Sequence, residues 1–183
     1  GGTTTSTLNL VANSNLTTGT GAVTLAAKTL NISGAATSVV LDSDTALSAA
    51  NLTTIDASGL TAGGVTLGLS TGVTSLKGGQ GADTITTAVL GATAVIDAGV
   101  GTDTLIIGTA TDLDTAAEGA KYLNFETVRA ASGSYDASLV GSATAIQMTG
   151  AGTLSNLNAT QAANVQIRTS GAYVMSLITD TGT

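Results

Sequence analysis

Residues 77–86 read KGGQGADTIT and residues 97–106 read DAGVGTDTLI. Each is a glycine-dense loop, one acid and then a short strand-like run, and the second follows the first by twenty residues. Ile85, Val95 and Leu105 stand ten apart, a spacing that predicts successive strands alternating between two sheets of one flattened coil. In that arrangement the loops at 78–83 and 98–103 lie on the same edge, one coil apart. A chain in which only 9% of residues are charged has placed a carboxylate at the same point of both loops.

Working outward, short runs rich in Thr, Val, Ile and Leu recur at intervals of roughly ten residues, separated by Gly, Asn, Asp and Ser. The runs are 7–11, 22–25, 29–32, 38–41, 52–55, 65–69, 73–76, 84–86, 94–96 and 104–107, then 123–128, 145–148, 153–157, 164–168 and 173–178. This pattern fits a sandwich, a barrel or a solenoid, and the choice turns on what fills the interior. With one Phe, three Tyr and no Trp, the chain lacks the bulky side chains of a wide core, whereas a narrow coil stacks small aliphatic ladders. The absence of Pro leaves every ladder amide available as a donor. The expected fold is therefore all-β, a parallel β-solenoid or β-roll. One interruption is expected at 111–128, TDLDTAAEGAKYLNFETV, where Ala, Glu and Lys predict a short helix over 112–121 with Asp112 or Asp114 near its start. It divides a solenoid stretch at 1–110 from a second at 111–183, or marks a junction within one continuous domain.

Composition narrows the function. A hydrophobic fraction of 43% and a positive mean hydropathy argue against disorder. A net charge of −7 makes cations more natural partners than nucleic acid or an anionic membrane, and no window of about 18 uninterrupted apolar residues offers a membrane span. GLSTG at 68–72 matches a nucleophile-elbow pattern around Ser70, but a chain without His has no imidazole base for it. With neither Cys nor His, no zinc constellation can form. The expectation is no enzyme. The start at Gly1, without an initiator Met, reads as a piece of a longer protein.

A hard divalent cation such as Ca²⁺ takes oxygen ligands from carboxylates and inward-turned carbonyls, and glycines permit the backbone turns that aim those carbonyls. GGQGADTIT matches G-G-x-G-x-D-x-U-x at Gly78, Gly79, Gly81, Asp83 and Ile85, and AGVGTDTLI matches at all but the first position, Ala98. On these residues the chain resembles the calcium-binding repeats-in-toxin (RTX) proteins of secreted bacterial origin. The resemblance implies a parallel β-roll in which Asp83 and Asp103 share a Ca²⁺ ion, with carbonyls at or beside Gly79, Gly81, Gly99 and Gly101. It departs from the family in coil length, twenty residues against the usual eighteen, and in LGATAV at 90–95, which has no Asp on the opposite edge. One or two ions are expected. Asp97 corresponds to Lys77 twenty residues earlier, so it is expected as a neighbour of Lys77 across stacked coils, in a surface ion pair, and not as a required ligand. Asp42 and Asp44 form a D-x-D that reads first as a solvated turn, with a calcium site as the alternative; Asp56 and Asp136 read as turn residues, and Glu126 as facing outward or pairing with Arg129 or Lys121.

The Thr/Ala/Gly-rich strands, LTTIDASGLTAGGVTL and LNFETV are similar to bacterial surface-layer proteins and large secreted adhesins. The implied function is that of a surface-layer lattice segment, secreted by a type I route to the bacterial cell surface. There Ca²⁺ between coils drives folding and ordered self-association in a lattice. Cell-surface polysaccharide would be engaged through another part of the parent protein. A stalk or ligand-binding segment of a calcium-dependent adhesin is the alternative, and a noncatalytic module of a secreted hydrolase is the second.

Overall fold

A computed structural model describes residues 6–18, 25–41 and 51–168. The chain winds as a β-solenoid of about seven turns in which every strand pairing is parallel. The first coil holds β1 (Thr7–Val11) and β2 (Leu16–Thr17), the second β3 (Thr29–Gly34) and β4 (Ser38–Val40), the third β5 (Thr54–Leu60) and β6 (Gly64–Gly68). β7 (Ser75–Lys77) with β8 (Thr84–Thr86), and β9 (Val95–Asp97) with β10 (Thr104–Ile106), make the two coils that carry the glycine-rich loops. Next come β11 (Tyr122–Leu123), β12 (Thr127–Ala130) and β13 (Gly133–Asp136), then β14 (Ala145–Met148), β15 (Gly152–Ser155) and β16 (Val165–Ile167). Odd-numbered strands from β1 to β11 form one sheet, even-numbered strands from β2 to β16 the other, and β13 with β15 opens a third short sheet.

The core is a set of aliphatic ladders created by the register. Leu30, Ile55, Leu76, Ile96 and Tyr122 stack through the first sheet. Leu67, Ile85, Leu105, Val128 and Ile146 stack through the second, and all ten side chains are buried. Burying each of these stabilises the coil by about 1.5–3 kcal/mol. The narrow interior explains why the composition needs so few aromatics. Phe125 and Tyr122 meet edge to face with centroids 6.3 Å apart, in the coil that also starts the third sheet.

The ten-residue alternation holds in outline, with one correction. Ile85 and Leu105 are direct inward partners, but Val95 points outward and is 48% exposed, while Ile96 is the buried residue of its strand. The pleat sets this: Val95 pairs with Ser75 and Ile96 with Leu76. The run at 123–128 is divided between β11 and β12, because Asn124 takes a left-handed conformation (φ 59°) and turns a corner between the sheets. The helix expected over 112–121 is a 3-10 turn at Ala110–Asp112 and a four-residue helix, α1 (Ala116–Gly119). Thr115 and Glu118 cap α1 reciprocally, and Asp112 is buried against the hydroxyls of Thr87 and Thr109 (2.8 and 2.7 Å), which ties the excursion to the coil. A second helix, α2 (Ala159–Ala163), and the strands β2 and β13 lie where no element was expected. The runs at 22–25 and 173–178 lie wholly or mostly outside the described residues, as do Asp42 and Asp44. Among the described residues no helix is long and apolar enough to cross a membrane.

Candidate metal centre

The register puts the two glycine-rich loops one coil apart on the same edge. Gly78 donates to the Asp97 carbonyl (2.8 Å), and Thr104 donates to the Asp83 carbonyl (2.8 Å). Alternation along β8 and β10 then turns Asp83 and Asp103 inward, since Thr84 and Thr104 face out. The position they occupy is a core position. In the coils before them the same column holds Val39 and Val65, both buried. Asp83 and Asp103 are 0% exposed, so the column changes from valine to carboxylate without leaving the interior.

Those carboxylates accept hydrogen bonds from backbone amides along the coil axis. Val65 N–H donates to Asp83 Oδ1 (2.6 Å), Asp83 N–H to Asp103 Oδ1 (2.7 Å) and Asp103 N–H to Glu126 Oε2 (2.8 Å). The links join residues 18, 20 and 23 apart, so the acid column tolerates coils of different length. Glu126 therefore does not pair with Arg129 or Lys121. Arg129 Nε donates to Gln147 (2.9 Å) and Lys121 Nζ to the Leu90 carbonyl (2.8 Å).

The two loops differ in one bond. Gly79 N–H donates to Asp83 Oδ2 (3.0 Å), which gives Asp83 a donor on each oxygen. The equivalent amide, Gly99 N–H, donates instead to Asp97 Oδ1 (3.0 Å), and Asp103 Oδ2 is buried with no hydrogen-bond partner. Lys77 cannot accept and Asp97 can, and the Gly99 amide is held by Asp97 and not by Asp103. Lys77 and Asp97 are cross-strand partners as expected, but the expected ion pair does not form: Asp97 Oδ1 accepts from the Gly99 amide and from Asn124 Nδ2 (2.7 Å).

Glycine has separate uses in the two loops. Gly99 and Gly101 have positive φ (90° and 149°), which L side chains rarely adopt; among the described residues Gly78, Gly79 and Gly81 do not. The first loop needs glycine for close approach, because a Cβ on Gly78 would run into the Ala98 carbonyl. The carbonyl oxygens of Gly79 and Gly81 face the second loop, 3.2 and 2.5 Å from where a Cβ on Gly99 or Gly101 would sit.

Burial dominates the electrostatics. It pushes the Asp83 carboxyl up to about 7, with the Asp103 charge adding and the Val65 and Gly79 amides opposing. Asp103 is pushed up to about 6, by burial first and then by Glu126 and Asp97, against the Asp83 amide. Such a pair favours a proton or a cation over bare negative charge. The oxygen donors suit a hard cation: an orphaned buried carboxylate oxygen at the end of the second loop, backbone carbonyls of the first loop close to Gly99 and Gly101, and neither nitrogen nor sulfur. No group of three or more carboxylates that could hold a metal occurs among the described residues, so carbonyls and water would supply the other ligands.

One repeated device escaped the sequence reading. The triplets DAS at 56–58, DAG at 97–99 and DAS at 136–138 each set a buried Ala after an Asp that accepts the amide two residues on, the first at a register shift within β5 and the other two at the ends of β9 and β13. Asp136 opens a turn at the end of β13, as expected, whereas Asp56 lies within β5, paired with Asn31 just before a register shift against β3. Ser58 holds Asp56 below its ordinary range, and Ser138 with Asn156 does the same for Asp136 against the effect of burial. Two of the corners are bridged from the next coil by a left-handed Asn: Asn124 to Asp97, and Asn156 (φ 53°) to Asp136 (2.7 Å each). The recurring D-A-[S/G] triplet was the available signal.

Compared with known proteins, the chain matches no protein-family model, no curated sequence and no solved structure.

Proposed function

We propose that this chain is a structural segment of a secreted bacterial surface protein, a lattice component whose solenoid is stiffened by Ca²⁺ held between coils. The observation that carries the reading is the buried, unpartnered Asp103 Oδ2 set between stacked glycine-rich loops. A carboxylate sealed inside a coil at neutral pH needs compensation, and the carbonyls of Gly79 and Gly81 face the loop that holds it. Continuous parallel ladders on both sheets suit a part that bears load and packs side by side. At about 1 mM Ca²⁺ and an extracellular-type Kd of about 0.1 mM, one such site adds about 1.4 kcal/mol to folding. In a low-calcium cytosol the chain would lack that contribution and remain easier to export.

The test is thermal melting of the chain in chelator and in 1–10 mM CaCl₂, followed by electron microscopy of the parent protein with added Ca²⁺. A calcium-dependent rise in Tm with two-dimensional sheets is expected. Isolated rods or fibres would favour an adhesin stalk, and a Tm indifferent to Ca²⁺ would end the calcium reading.

A further inference from the structure

We infer that the two glycine-rich loops are unequal, only the second being competent to bind a cation, and that Asp97 makes it so by taking the Gly99 amide away from Asp103. This rests on the calcium reading above and assigns the metal-binding role within that site. The resemblance alone treats the loops as equivalent halves sharing an ion between Asp83 and Asp103.

Three independent observations separate them. Asp83 has an N–H donor on each carboxylate oxygen, from Val65 and Gly79, whereas Asp103 has a donor on Oδ1 only. Gly99 and Gly101 hold the positive φ values that reshape a loop, and the first-loop glycines do not. The first loop is also pinned to the coil beneath it, since Gln80 N–H and Gly81 N–H both donate to the Gly63 carbonyl (3.1 Å each). Asp83 is thus an acceptor for amides, and Asp103 is a carboxylate with an oxygen left over. The local sequence accounts for this. Asp97 opens an Asx turn onto Gly99, and Asn124 of the next coil holds it there, so Oδ1 of Asp97 takes the donor that Asp103 would otherwise receive. Lys77, in the same column of the preceding coil, offers no acceptor, and the Gly79 amide falls to Asp83. Asp97 is therefore a positioning residue: it acts through the Gly99 amide.

The experiment is calorimetric titration of CaCl₂ into the chain and into four variants, with Tm in chelator recorded for each. Asp103→Asn should lose detectable binding. Asp83→Asn should stay within about threefold of the parent Kd while melting lower in chelator, because an amide replaces an acceptor oxygen with a donor. Asp97→Asn and Asp97→Ala both remove the charge, but only Asn retains an acceptor for Gly99. The Asn variant should bind within about threefold of the parent and the Ala variant at least about tenfold more weakly, a difference of about 1.4 kcal/mol. If the unmodified chain gives no calcium heat, the calcium reading itself fails. If it binds but Asp83→Asn loses as much as Asp103→Asn, or the two Asp97 variants bind alike, the inequality of the loops is overturned.

Discussion

Replacing Asp83 with Val puts into the fourth coil the side chain that the same column carries at Val39 and Val65. If that position were ordinary core, the change would be neutral or stabilising at every pH. It is not ordinary, because two backbone amides depend on Asp83, those of Val65 and Gly79, at 2.6 and 3.0 Å. A buried amide that loses its acceptor costs about 1–3 kcal/mol, and the apolar gain of the new methyls offsets part of the sum, leaving about 2–4 kcal/mol. That figure applies at pH 5, where the acid is neutral in the folded chain. The Asp83 carboxyl lies at about 7 when folded and at 3.8 in its ordinary state, so between these values the folded chain holds a proton that the unfolded chain has released. Raising pH through that window therefore removes stability from the parent, by at most about 1.4 kcal/mol per pH unit, and Asp83→Val lacks this loss. The assay is circular dichroism melting in chelator at pH 5.0, 6.5 and 8.0. At pH 5 the variant should melt about 4–16 °C lower, using about 2–4 °C per kcal/mol for a chain of this length, and the gap should shrink by pH 8. A gap that stays constant across pH, or a valine variant more stable at pH 5, would refute the role given to those two amides.

Two further outcomes follow from the corners and the close approaches. Asn124→Gly keeps the left-handed backbone at φ 59° and loses only the bond to Asp97, so it should destabilise by about 0.5–1.5 kcal/mol, whereas Asn124→Ala adds backbone strain of about 1–2 kcal/mol. Denaturant midpoints of the two variants should differ in that order, and equal midpoints would remove the case for a conformational role. Gly64→Ala would drive its Cβ into the carbonyl of Ala82 in the stacked coil, so at least about 1–3 kcal/mol is expected from overpacking. Chemical shifts of the first-loop amides report the displacement, and an unchanged spectrum would mean that the coils separate more easily than the packing implies.

The class of fold was legible because its causes are local. Thr-Ile-Thr at 84–86 and Thr-Leu-Ile at 104–106 each put one apolar side chain inward behind an outward Thr, and glycine-rich loops of matching length precede both, which favours parallel stacking. The inward ladder was misread at Val95 because VID offers two adjacent β-branched residues, and only the pairing with Ser75 and Leu76 selects Ile96. Hydrophobicity alone cannot make that selection. The split at Asn124 is a left-handed corner that a run of apolar letters conceals, and β13 exists only because the coil acquires a third side after the helical excursion. At the candidate site, the stacking of the two loops was readable from the repeat. Which amide each carboxylate captures was not, since it depends on Lys77 and Asp97 sharing a column across coils.

The column of buried acids bears on how the coils act together. The Asp83 amide donates to Asp103, and the Asp83 carboxylate in turn receives the Val65 amide, so the acids form a chain running from the third coil to Glu126 in the sixth. Charge gained or neutralised at Asp103 changes the acceptor strength seen by the Asp83 amide, and through the peptide and side chain reaches the coil below. The corners bridged by Asn124 and Asn156 join coils with an amide donor in place of a second charge, so they need no ion. The solenoid thus has two kinds of cross-coil link: a carboxylate column whose strength depends on protons or cations, and amide corners that hold without either. Removing Asp103 should lower the stability of the fourth and fifth coils together while leaving β14 to β16 protected. Hydrogen exchange of the Val65 and Asp83 amides against those of Ile146 and Met148 would measure the difference, and equal loss of protection in both groups would mean that the coils unfold as one unit.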